Sequence, residues 1–310
     1  MFKIVKQHSW LETNLPSTVK AGLSGEDHES YPAGITECVE TTGETTATGQ
    51  QSGFGGGPLY TTFKRWTSET IAGTEGKSWF WVEVGDSDWN EIAHLSSDIP
   101  GAKWQDDSPG VPVGMRPLPK DFITKLGDRI NRPEFSEVLD ALRETSVMRS
   151  FTALQTCIAG NGSTFFSGLP FLIEPDETNF RNTISEWFLN LPDGLRALQT
   201  GIDRVKRRYG NIQAELFRDR TGWFWVESPL SKRIPLIWNG KNTFFIEELA
   251  FDVKGLSEFA KNGNGIFVPG ALWRTVVQQA LLEPQVVVVG PAEASYWGEV
   301  PELFFWTGLP

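Results

Sequence analysis

Two stretches far apart in this chain repeat one grammar. Thr45-Thr46-Ala47-Thr48 is a short β-prone run, followed by glycines over 49–57 and by Pro58, which opens a helix. Much later a valine run over 285–289 passes through Gly290-Pro291 into a helix over 292–303. Proline suits a first helical turn because its missing N–H would have no partner there anyway. Strand, glycine turn, helix, recurring in this way, marks a parallel sheet with short loops at the carboxyl ends of its strands. The expected fold is therefore α/β, a Rossmann-like parallel sheet core with a helical and β-hairpin insertion.

The intervening sequence fills in that plan. Ser78-Trp79-Phe80-Trp81-Val82-Glu83-Val84 reads as a buried strand ending in Gly85-Asp86-Ser87-Asp88. Another strand is expected over 169–174. Helix is expected over 121–154, interrupted at Pro133, and over 177–213, broken at Leu191-Pro192-Asp193-Gly194. Residues 223–247 hold three short aromatic-rich β runs, and 271–282 read as helix. Residues 1–45 show no clean periodicity and are taken as an irregular N-terminal segment. The Rossmann-like core is then 46–310, with 96–265 largely inserted material. On the helix after Pro58, Leu59, Phe63, Trp66 and Ile71 share a face expected to meet the core.

Composition excludes several function classes. The net charge of −11 over 310 residues argues against a general nucleic-acid surface, though a small anion could still bind in a local pocket. Two cysteines, Cys38 and Cys157, and three histidines, His8, His28 and His94, supply neither a disulfide framework nor a metal-ligand set. No metal site is expected, and Cys157 reads as a small buried hydrophobe. There is no secretory leader behind the first lysines and no aliphatic run long enough to span a membrane, so the chain reads as cytoplasmic.

Four features could carry chemistry. The loop Gly49-Gln50-Gln51-Ser52-Gly53-Phe54-Gly55-Gly56-Gly57 lies between strand and helix, where backbone N–H groups favour a phosphate or carboxylate; a tight turn is the plainer reading. It is not a dinucleotide fingerprint, because Pro58 fills the last glycine position, and this weakens an NAD-dependent reading. Asp86 and Asp88 follow a strand, where α/β sheets bind ligands, although both could simply cap the next helix. Glu293 complements a helix N-terminus or holds a substrate ammonium. Arg274 clamps an anion or makes an ion pair. The basic run Arg204, Lys206, Arg207 and Arg208 reads as a solvated helix end.

Several segments together resemble the cysteine ligase family of bacillithiol biosynthesis, the cysteine-adding enzymes. They are Thr48-Gly49-Gln50-Gln51 with Gly57-Pro58-Leu59-Tyr60-Thr61 and Lys64; Phe80-Trp81 leading to Asp86 and Asp88; and Pro112-Val113-Gly114. The last runs from Phe267 and Pro269 through Arg274, Val277 and Gln278 to Gly290-Pro291-Ala292-Glu293 and Tyr296. The resemblance covers about residue 45 to the end. It implies a Rossmann-type core related to nucleotidyltransferases, with cysteine joined to glucosaminyl-malate and ATP activating the carboxylate. It further implies Asp86, Asp88 and Glu293 as catalytic carboxylates. Thr48, Gly49, Gln50, Gln51, Gly53, Gly57, Tyr60, Lys64, Arg274, Gly290 and Tyr296 would bind substrate or phosphate.

The sequence also departs from the family. Gly85 and Ser87 stand where the family pattern has Glu and His, Gly270 stands for Asn, and Gln279 for Asp. The chain stops where the family continues into a coiled-coil domain, so a non-catalytic binding or assembly homologue is the alternative. Val300, Leu303, Phe304, Phe305, Trp306 and Leu309 crowd the C-terminus. They are expected to fold back on the chain or to be covered by another subunit, as in a homo-dimer.

Overall fold

The computed structural model describes residues 3–6, 43–95, 102–130, 133, 136–143, 145–167, 177–210 and 220–309. In chain order the strands are β1 (Lys3–Lys6), β2 (Thr46–Gln51), β3 (Ser78–Glu83), β4 (Ser163–Ser167), β5 (Arg220–Val226), β6 (Ile234–Trp238), β7 (Phe244–Ile246), β8 (Leu249–Phe251), β9 (Ile266–Pro269) and β10 (Val286–Val289). The α-helices are α1 (Leu59–Ala72), α2 (Trp89–Ile92), α3 (Phe122–Ile130), α4 (Ser136–Ala141), α5 (Val147–Ala159), α6 (Glu177–Phe188), α7 (Leu191–Tyr209), α8 (Val253–Asn262), α9 (Ala271–Leu282), α10 (Pro291–Trp297) and α11 (Pro301–Thr307).

One sheet is wholly parallel, in the order β1-β10-β2-β3-β4. All four valines of β10 are buried, which is why that strand is an unbroken apolar run: a parallel strand covered on both faces has no polar side to alternate with. The second sheet is antiparallel, in the order β8-β7-β6-β5-β9. Its register slips between Arg220 and Phe224, where Gly222 takes a positive φ of 80°. The bulge turns the Gly222 carbonyl toward the Gly270 N–H, at 2.7 Å. Gly270 is the N-cap of α9, so an irregularity in one sheet fixes where that helix begins. One apolar cluster runs through both sheets, from Trp81 and Val82 through Val268 to Trp223 and Trp273.

Several expectations need correction. The first 45 residues are not wholly irregular: Lys3–Lys6 is the edge strand of the parallel sheet, four residues being too short a run to show a period. Nor is 96–265 wholly inserted, since Ser163–Ser167 forms the other edge of that sheet. The strand expected over 169–174 lies outside the described residues. The helix expected over 292–303 is two helices, separated at Gly298-Glu299-Val300, with Pro301 starting the second. The break in the long helical region falls one step earlier than expected, at Leu189-Asn190. Cys157 is exposed rather than buried. The C-terminal segment does fold back. Val300, Leu303 and Phe304 are buried, and Trp306 packs edge-on against Trp273 at 5.8 Å. Phe305 alone of that group stays 85% exposed.

Helix α1 reverses its expected orientation. Leu59 is 67% exposed and Trp66 39% exposed, whereas Thr61, Thr62, Lys64, Arg65, Thr67 and Ser68 are buried. Only Ile71 of the expected apolar face is buried. The reason is a polar interface with partners for its groups. Hydroxyls pass beneath the helix from Thr46 to Ser68 (2.8 Å), to Ser78 (3.0 Å), to Ser163 (3.1 Å), and the Ser163 hydroxyl donates to Glu69 (2.7 Å). Arg65 donates to Glu69 and to the carbonyls of Gln155 and Gly160 at the end of α5. A buried polar group with a partner carries no large desolvation penalty, and pattern alone cannot reveal the partner.

Candidate functional site

The carboxyl ends of β2, β3 and β10 open into a cleft of about 440 Å³, closed on the far side by residues next to β6 and β9. Gly49, Gln50 and Gln51 come from the end of β2, Glu83 and Asp86 from the end of β3, and Gly290 and Glu293 from the start of α10. Residues distant in sequence therefore share one wall because parallel strands end on the same side. Helix α1 contributes Tyr60 and Lys64, α9 contributes Arg274, α10 also contributes Tyr296, and Arg233 enters from just before β6.

Glu293 is the centre of a buried ionic cluster. Arg274 Nη2 donates to Glu293 Oε1 (2.8 Å) and to the Tyr296 hydroxyl (2.6 Å), and Lys64 Nζ lies 3.6 Å from Glu293 Oε2. Lys64 Nζ also donates to the Gly49 carbonyl, and Arg274 Nη1 to Gln278 Oε1 (3.3 Å). Glycine at 49 leaves room for this arrangement. A Cβ there would sit 3.0 Å from the Trp81 carbonyl and 3.3 Å from Arg274 Nη1. Burial pushes the Glu293 carboxyl upward, but Arg274 and Lys64 outweigh it and hold the group below the usual carboxylate range. Burial also opposes charge on Arg274, yet its pKa is raised overall, by Tyr296 once that phenol is ionised and by the Glu293 carboxylate, which is the charge that holds the cation near neutral pH. For Lys64 burial wins over Glu293, and its pKa falls below that of an ordinary lysine. Burial raises Tyr296, so the phenol keeps its proton. Since arginine can only donate, that O–H is left to donate elsewhere.

The opposite wall is less saturated. Glu83 Oε2 accepts from Trp81 Nε1 (3.1 Å) and Oε1 from the Gly85 N–H (2.8 Å). Burial raises its pKa, with Arg274 opposing. Asp86 Oδ1 accepts from the Ser87 and Asp88 N–H groups (2.6 and 3.2 Å) and from Arg233 Nη1 (3.1 Å). Arg233 lies over the Phe224 ring at 3.7 Å, and its Nε has no hydrogen-bond partner. Burial depresses its pKa against the pull of Asp86 and Glu83.

Of the residues singled out in the sequence, Gly49, Gln50, Gln51, Tyr60, Lys64, Asp86, Arg274, Gly290, Glu293 and Tyr296 line this cleft. Four do not. The Thr48 hydroxyl donates to the Val288 carbonyl (2.7 Å) and ties β2 to β10. Asp88 is exposed and caps α2, accepting from the Glu91 N–H. Gly53 and Gly57 belong to a packed turn: Phe54 is buried edge-on against Trp89 and Trp104, and a Cβ at Gly57 would lie 2.9 Å from Phe151. The glycines at 53, 55, 56 and 57 therefore shape this turn and do not line the cleft.

Sequence reasoning passed over Glu83, Glu91 and Arg233, which also line the cleft. For Glu83 there was a signal, a carboxylate set between Val82 and Val84 in an apolar strand. For Arg233 there was none. The glycine at 85, where the resemblance leads one to expect glutamate, has a packing cause: a Cβ there would stand 2.2 Å from Val268 Cγ1.

Comparison with known proteins agrees with this architecture. Relatives named "Putative cysteine ligase BshC" include one from Heliobacterium modesticaldum, 25% identical over 93% of this chain and 56% of its own length. Another, from Salinibacter ruber, is 27% identical over 84% of this chain and 51% of its own length. The chain thus spans about half the length of these curated relatives. Among the described residues no helix is long and apolar enough to cross a membrane. The family model for "Bacillithiol biosynthesis BshC, N-terminal Rossmann-like domain" matches residues 12–310, nearly the whole chain, and this protein belongs to that family.

Proposed function

We propose that the cleft binds the reactants of a carbon–nitrogen ligation in which the carboxyl group of cysteine is joined to the amino group of an amino-sugar malate conjugate such as glucosaminyl-malate. The observation that carries this reading is the distribution of spare capacity. Lys64 and Arg274 are engaged with Glu293, whereas Arg233 keeps donors beyond its bond to Asp86, and Glu83 keeps acceptor lone pairs. Reactants bearing both carboxylate and ammonium groups need one such cation and one such anion in the same small space. Family membership supports the class of reaction. The activation of the carboxylate we assign to ATP.

The chain incubated with cysteine, glucosaminyl-malate and ATP, with the mixture followed by mass spectrometry, tests the proposal. An amide product of the summed mass less water is expected. A binding role without turnover is the second reading, favoured by the closed space at Gly85, which leaves no room for an acidic side chain. It predicts saturable binding by calorimetry and no product.

A further inference from the structure

An amine that is to attack a carboxyl carbon arrives at neutral pH as an ammonium ion. It must first be held and then lose a proton to a group within hydrogen-bond reach. Four carboxylates border the cleft: Glu83, Asp86, Glu91 and Glu293. Glu293 is occupied by two cations, 2.8 and 3.6 Å away, and the same cations make it a weak proton acceptor. Asp86 is already paired with the Arg233 cation through Oδ1, and its side chain is 42% exposed, so water competes there for any ligand. Glu91 is exposed on α2, where water competes for any ligand.

Glu83 differs from all three. It closes β3, its side chain is fixed by one donor on each oxygen, Trp81 Nε1 and the Gly85 N–H, and no cation is bonded to it. Each carboxylate oxygen has about two lone-pair sites, so each keeps one. We infer that Glu83 is the carboxylate that seats the primary ammonium group of the acceptor and takes its proton, an inference that rests on the ligation reading above. The transfer turns R–NH3+ and the Glu83 carboxylate into R–NH2 and the Glu83 carboxylic acid. Nitrogen keeps the electron pair that later forms the amide bond. The charged and titratable groups around Glu83 are Arg274 from α9, Tyr296 from α10, Asp86 from the turn after β3 and Arg233 from just before β6. Burial raises its pKa and Asp86 adds to that, while Arg274 opposes.

The test needs no turnover. Calorimetry compares glucosaminyl-malate with its N-acetylated counterpart, which keeps the sugar and malate but carries no ammonium, on the wild-type chain and on Glu83→Gln. Glu83→Gln should weaken the amine at least tenfold and leave the N-acetyl compound within twofold. Carboxyl titration of the wild-type chain labelled with 13C-glutamate gives a second readout that depends on no variant for its effect. The Glu83 midpoint should fall on adding the amine and stay put with the N-acetyl compound. If the wild-type chain binds the amine but neither the affinity in Glu83→Gln nor the Glu83 midpoint moves, the inference is overturned and the ligation reading stands. If the wild-type chain binds neither compound, the ligation reading fails and takes the inference with it.

Discussion

Replacing Glu293 by glutamine removes one negative charge from between two buried cations while nearly preserving shape. Removing one partner of a buried ion pair costs about 3–5 kcal/mol, because the remaining charge stays desolvated. Here the two cations respond differently. Lys64, already depressed by burial, can shed its proton and escape most of the penalty. Arg274 cannot, since a guanidinium stays charged in proteins. Its remaining bonds to Tyr296 and Gln278, with the amide oxygen of the new glutamine, soften the loss without cancelling the charge. We therefore expect Glu293→Gln to lower unfolding stability by about 3 kcal/mol at pH 7, the lower end of that range. Urea unfolding with linear extrapolation reads it. The pH dependence is a second check. Glu293 titrates below its unfolded value when folded, so its contribution is complete above the unfolded pKa, about 4.3, and is lost as pH falls through the folded one. The gap between wild type and variant should narrow in acid. A gap under about 1 kcal/mol at pH 7, or one that does not close in acid, would refute the idea that Glu293 balances this cluster.

Glu83 has the opposite sign. Its folded pKa is raised, so the stability it allows is full below the unfolded pKa and is lost as pH rises through the folded one. Glu83→Gln should therefore be more stable than wild type in mildly alkaline buffer and similar near pH 4 by thermal melting. Arg233→Met should weaken the binding of glucosaminyl-malate at least tenfold in calorimetry while leaving the fold intact by circular dichroism. Leu303→Ala, at a fully buried site on α11, should cost about 2–5 kcal/mol in urea unfolding. Leu59→Lys should change stability by less than about 0.5 kcal/mol, because that side chain faces water.

How far the sequence reveals this protein depends on whether a residue's partners are local. The helix over Ala271–Leu282 and the strand Val286–Val289 were legible because apolar runs and glycine punctuation report their own conformation. The convergence of Gly49, Asp86, Gly290 and Glu293 followed from topology, as parallel strands share an end. Helix α1 was misread because its burial is decided by hydroxyls on three strands, and a count of apolar positions cannot see them. The glycine turn was misread for a related reason: its positive-φ glycines at 55, 56 and 57 serve a bend packed on Phe151 and Leu95. Arg233 was invisible because its partner, Asp86, lies 147 residues away, in the turn after a strand of the other sheet.

The row of hydroxyls beneath α1 has a consequence for what substitutions the protein tolerates. An oily interface accepts almost any apolar swap of equal volume, and a helix resting on one can slide or roll at little cost. A row of directional bonds cannot be shifted by a residue without orphaning several donors at once. Lys64 lies about one turn before Ser68 on the same helix, so the distance from its amine to Glu293 depends on the hydroxyls that seat that turn on the sheet. Drift at Ser68, Ser78 or Ser163 toward alanine or valine should therefore appear first as altered ligand affinity, in proteins that still fold, and a survey of such variants would find binding lost before stability.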